Sequence, residues 1–120
     1  MKRKLVSLEE ALKATPAQFL EWLRRNGKKT FPVCRAATAT ANPVYSKDVC
    51  PIVSYLKART GITTLACSLS DVQHPDGYLS LPYWMQAFIR DHGGTHAFAG
   101  KTYAAVRERA LADPSWKEAA

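Results

Sequence analysis

The chain has 120 residues, 47% of them hydrophobic, with 17 Lys and Arg against 10 Asp and Glu, a formal net charge of +7. Its length fits one domain spanning 1–120, and the apolar fraction with twelve aromatic residues is enough for a real core, which argues against a disordered chain. No apolar run reaches the ~18–20 residues that cross a bilayer, and Ser7, Glu9 and Glu10 interrupt any signal-peptide core behind the basic start. The expected setting is therefore the cytoplasm, without membrane association.

Two short helices open the chain. Ser7-Leu8-Glu9-Glu10 is a capping box, in which the serine hydroxyl and the Glu10 side chain satisfy each other's free backbone N–H groups. It predicts a helix over 8–14. Thr15-Pro16-Ala17-Gln18 repeats the device, with proline at the first helical position, where a missing N–H costs nothing. The second helix, over 16–26, carries Phe19, Leu20 and Leu23 on one apolar face with Trp22 at its edge. Arg24 and Arg25 suit the negative end of its dipole, and Gly27 suits the cap.

From Lys28 the period changes. Thr30-Phe31-Pro32-Val33-Cys34 alternates like a strand, and Pro32 confines it to an edge. Residues 35–46 are rich in Ala, Thr, Asn and Pro with no amphipathic period, and read as the longest loop. A helix opens at Cys50-Pro51, turns Ile52, Val53 and Leu56 inward and ends at Gly61. Residues 62–69 alternate, His74-Pro75-Asp76-Gly77 is a turn signal, and 78–81 returns, so 62–81 reads as a β-hairpin. Pro82 then opens a helix with the stripe Trp84, Met85, Phe88 and Ile89, closed by Gly93-Gly94. A last helix runs from about Thr102 to Ala112, before Asp113-Pro114. The sum is a small single-domain α+β fold: short helices packed on a small antiparallel sheet made of the 62–81 hairpin and an edge strand at 30–34. Trp84, Phe88, Leu56, Phe19 and Leu23 are the expected core.

The string Cys50-Pro51-Ile52-Val53-Ser54-Tyr55-Leu56, a short hairpin, and then Leu81-Pro82-Tyr83-Trp84-Met85-Gln86-Ala87-Phe88-Ile89 resembles a pattern in small uncharacterised proteins of actinobacteria and their phages. The resemblance covers about residues 48–94. It implies a fold and a mobile-element origin, and it carries over no catalytic residue.

Chemistry is hard to place in this sequence. Cys34, Cys50 and Cys67 are odd in number and lack the Cys-x-x-Cys clip of most zinc sites, so they are expected to be reduced, buried and apolar in role rather than a metal set completed by His74. Cys50 at a helix start has a dipole that favours a thiolate, but nothing ties it to His74, His92 or His96 as a base. Asp91, His92 and His96 read as a polar helix end more than as metal ligands. Gly100-Lys101-Thr102 lacks the glycine spacing of a phosphate loop. No catalytic residue, metal or cofactor is expected.

The basic residues are the remaining signal. Lys and Arg fill four of six positions at 24–29, the end of an amphipathic helix whose apolar face is committed to the core. Arg24, Arg25, Lys28, Lys29, Arg35, Lys57 and Arg59 are the expected contacts to an anionic partner, nucleic acid or the acidic face of a nucleoprotein complex, because a pI near 9.5 gives a field that attracts phosphates. The reading is a small basic non-enzymatic binding protein, with a phage or mobile-element inhibitor of the anti-CRISPR type as its setting. The alternatives are a direct DNA-binding transcriptional regulator, though a strand follows Gly27 where a recognition helix would stand, and a thiol enzyme using Cys50.

Overall fold

The computed structural model describes residues 5–31, 51–67, 70–92, 101–114 and 116. Their elements run in the order α1 (Leu8–Ala11), α2 (Pro16–Arg25), α3 (Pro51–Thr60), β1 (Ala66–Cys67), β2 (Asp71–His74), β3 (Gly77–Ser80), α4 (Tyr83–His92) and α5 (Tyr103–Leu111). This is the expected α+β arrangement of short helices with a small antiparallel sheet. Residues 35–46 lie outside the described residues, as do Cys34, Cys50 and His96.

The helix starts form as their caps dictate. The Glu10 amide donates to Ser7 Oγ at 3.1 Å, the serine half of the expected box. At α2 both halves are made: the Gln18 amide donates to Thr15 Oγ1 at 3.2 Å, and the Thr15 amide donates to Gln18 Oε1 at 2.8 Å. α1 ends at Ala11 rather than at 14. The reason is Pro16, which disfavours the helical conformation for Thr15, so the chain must leave one helix before it caps the next.

The sheet departs from the expected hairpin. Its turn is where the sequence puts it, at Pro75 and Asp76, but β3 pairs with residues 71–74 and not with 62–69. Val72 faces Leu79 and His74 faces Gly77, while Ala66 and Cys67 form a third strand against Gln73 and Val72. A two-residue hairpin loop requires its strands to flank it directly. Of the 62–69 alternation, the described strand is Ala66–Cys67, which pairs with β2 rather than with β3.

The edge strand expected over 30–34 does not join this sheet through its described residues. Thr30 makes an isolated bridge to Thr102, and the Phe31 amide donates to the Lys101 carbonyl at 2.9 Å. Phe31 is buried and stacks on Tyr103 with ring centroids 4.3 Å apart, which draws the segment to the start of α5. Residues 32–34 lie outside the described set.

Phe19, Leu23, Leu56 and Phe88 are buried, as their helical stripes predict. Trp84 is only partly buried: its indole N–H donates to the Ala14 carbonyl at 2.8 Å, and that bond holds the ring at the core's margin. Trp22, expected at an edge, is buried between Tyr55 and Tyr103, at 5.2 and 4.9 Å between centroids. Trp116, for which no periodicity argued, closes the core against Phe19, Trp84 and Phe88. Cys67 is a partly buried thiol packed on this core.

Candidate functional site

α2 divides its surface cleanly. Phe19, Leu20, Trp22 and Leu23 face inward, leaving Gln18, Glu21, Arg24 and Arg25 toward solvent. Arg24 and Arg25 are well exposed, at 57% and 64% of their side-chain surface. Lys28 and Lys29 follow on an exposed turn. The sequence expectation of an exposed cluster thus describes these four residues.

Arg24 is not free, however. Its Nε donates to Glu21 Oε1 at 2.8 Å and its other nitrogen to Oε2, a bidentate pair, and Arg25 Nε lies 3.8 Å from the same carboxylate. The hydrogen bond from Arg24, helped by the positive charges of Arg24, Arg25 and Arg107, holds the Glu21 carboxyl below its ordinary range against an opposing desolvation. Exposed pairs of this kind contribute little and yield to salt or to a competing anion.

Tertiary structure adds a second basic segment to this end of the molecule. α5 packs on α2, and its first turn is tied to the turn after α2 by backbone hydrogen bonds. The Tyr103 amide donates to the Lys29 carbonyl at 2.8 Å, and the Ala104 amide to the Gly27 carbonyl at 3.2 Å. A Cβ on Gly27 would sit 3.3 Å from the Ala104 Cβ, so glycine permits this approach. Lys101, exposed, lies opposite Phe31 across this junction, two residues from Lys29, and Arg107, one turn into α5, comes within electrostatic reach of Glu21. Sequence reasoning missed both. The usable signal was the Thr102 cap, whose hydroxyl accepts the Ala105 amide at 3.1 Å and starts a helix directly after Lys101.

α3 supplies the other wall. Tyr55 and Arg59, one turn apart, face α2 across a groove of about 500 Å³ lined by Gln18, Glu21, Trp22, Arg25, Asn26 and Ala17 besides. Arg59 thereby joins the 24–29 cluster, whereas Lys57, half-buried on the same helix, does not line the groove. Arg35 lies outside the described residues. Nε of Arg59 and Nε of Arg107 are buried without a hydrogen-bond partner among the described residues. Burial raises the Tyr55 hydroxyl above its ordinary value, with Arg59 and Arg25 opposing, so it stays a neutral donor.

Compared with known proteins, the chain matches no family model, no curated protein and no solved structure. The site is therefore read from its own chemistry. Among the described residues no three His, Cys, Asp or Glu side chains converge on a point that could hold a metal. Asp91 accepts a hydrogen bond from Arg90 Nε at 3.0 Å. No helix among the described residues is long and apolar enough to cross a membrane.

Proposed function

We propose that the protein is a small non-enzymatic binding protein whose basic end engages the phosphates of a nucleic acid, alone or within a nucleoprotein complex. One observation carries the reading. Two basic segments far apart in sequence, 24–29 and 101–107, are stitched together by the backbone bonds from Tyr103 to Lys29 and from Ala104 to Gly27. These bonds bring the exposed Lys101 to the same end of the molecule as the exposed Arg24, Arg25, Lys28 and Lys29, where Glu21 pairs with Arg24 and Arg25. Phosphate contacts of this type give affinity and orientation without reading sequence. The setting we propose is cytoplasmic, as a phage or mobile-element inhibitor, in keeping with the resemblance over residues 48–94.

The test is the fourfold change Arg24→Gln, Arg25→Gln, Lys28→Gln and Lys29→Gln. These side chains are on the surface, so the thermal midpoint should move by a few degrees at most. Affinity for single- and double-stranded oligonucleotides should fall, and its logarithmic salt dependence should flatten by roughly 0.7–0.9 for each phosphate contact removed. Unchanged affinity at every ionic strength would show that the charge only keeps the surface hydrated. Loss of a nuclease-resistant protein partner without loss of oligonucleotide binding would move the function to an acidic protein face.

A further inference from the structure

The groove between α2 and α3 is more than a border of the basic surface. Its two walls bring one guanidinium each, Arg25 from α2 and Arg59 from α3. Arg59 holds its Nε–H buried and without an acceptor among the described residues. A buried unpaired donor on a cation is unfavourable until an acceptor arrives, and an anionic oxygen answers both the charge and the hydrogen bond. Other polar side chains line the same groove. Gln18 uses its Oε1 on the Thr15 amide, which leaves its NH₂ to donate. Tyr55, one turn from Arg59, lines the groove beside it.

We propose that this groove is a specific pocket for one phosphate group, clamped between Arg25 and Arg59, with Glu21 as the internal anion that the phosphate displaces from Arg25. The proposal rests on the reading of the basic end as a nucleic-acid face and names where on that face a backbone phosphate is seated. Opposed guanidinium groups suit a tetrahedral oxyanion, which presents oxygens to both walls; a planar carboxylate fills one fork. The pocket takes backbone rather than base. Trp22 and Tyr55, its aromatic lining, are only 5% and 1% exposed, so neither offers a face on which a base could stack. The seat is therefore indifferent to sequence. Glu21 sets its strength, because its carboxylate lies 3.8 Å from Arg25 Nε and competes for it.

The experiment uses the full chain and two probes: inorganic phosphate, followed through the Nε–H resonances of the arginines, and a short oligothymidylate, followed by anisotropy across salt concentrations. Phosphate should shift the Arg59 Nε–H and leave that of Arg90, already bonded to Asp91, in place. Arg59→Lys keeps the charge but removes the fork and the buried donor. It should weaken oligonucleotide binding about tenfold with little change in salt slope. Glu21→Gln removes the competitor and should tighten binding several-fold, an outcome that mere damage to the fold does not produce. The pocket is refuted if phosphate leaves Arg59 unmoved and both variants bind as the parent does. If oligonucleotide affinity falls on changing Lys28 and Lys29 but ignores Arg59→Lys and Glu21→Gln, the basic end stands and the pocket fails. If phosphate shifts Arg59 while no oligonucleotide binds, the pocket stands with a free phosphate as its ligand and the nucleic-acid reading fails.

Discussion

Phe19 is the residue on which the packing converges. Its ring meets Tyr55, Phe88 and Trp116 edge-on and lies against Trp22 and Trp84, with centroids between 5.3 and 6.2 Å away. Edge contacts of this kind add to the burial of the ring itself. Phe88 is only 1% exposed and contacts both Phe19 and Trp116, so Phe88→Ala should cost about 3–5 kcal/mol, seen as a fall in the chemical-denaturation midpoint. Tyr55 yields a prediction on pH. Burial lifts its hydroxyl above the ordinary value of 10.0, as it does for Tyr103. The unfolded chain then ionises first, so the stability intact below about pH 10 is lost as pH rises through the folded value. The thermal midpoint should drop above that pH, and the drop should be shallower in Tyr55→Phe. An equal slope in both proteins would mean that Tyr55 ionises as readily folded as unfolded.

At the scale of elements, boundaries come from local chemistry and pairing from elsewhere. α3 stops at Gly61, which has φ +74° and donates its N–H to the Lys57 carbonyl at 2.8 Å. Only glycine takes that left-handed cap freely. An added Cβ would also stand 2.9 Å from Leu5 Cδ1, though that side chain is exposed and able to turn away. Gly61→Ala should therefore cost about 1–2 kcal/mol from the backbone alone, measurable as a lower midpoint without loss of helix content. Such boundaries were readable: the caps at Ser7, Thr15 and Thr102 and the stop at Gly61 fall where residue types require them. The partner of β3 was not. The 62–69 alternation and the 71–74 segment are both acceptable strands, and what separates them is the two-residue loop at Pro75 and Asp76, a geometric constraint with little trace in periodicity.

For the whole molecule, the charge of +7 is less informative than its placement. Arg24, Arg25, Lys28 and Lys29 form a cluster by sequence alone, but Lys101, Arg107 and Arg59 come to this end of the molecule only because α5 and α3 both pack against α2. The fourfold glutamine change and the Arg59→Lys and Glu21→Gln pair probe these two levels separately. The first removes charge that is contiguous in the chain. The second alters a pocket that exists only when two helices meet.

Sequence by itself determined the fold class, the helix starts at Ser7, Thr15 and Thr102, the stop at Gly61, the burial of Phe19, Leu23, Leu56 and Phe88 and the exposure of Arg24, Arg25, Lys28 and Lys29. Each of these follows from interactions within a few residues: a cap, a proline, a period of 3.6 or an apolar stripe that must leave water. Tertiary structure alone decided the rest. Trp22 moved from edge to core because Tyr55 and Tyr103 close over it, Thr30 bridged to α5 because Phe31 stacks on Tyr103, and Trp84 stayed at the margin because its N–H found the Ala14 carbonyl. The groove belongs to the same class. Its walls stand some thirty residues apart in the chain, and their meeting is set by long-range packing around Phe19, a sum of many weak contacts that no local pattern encodes.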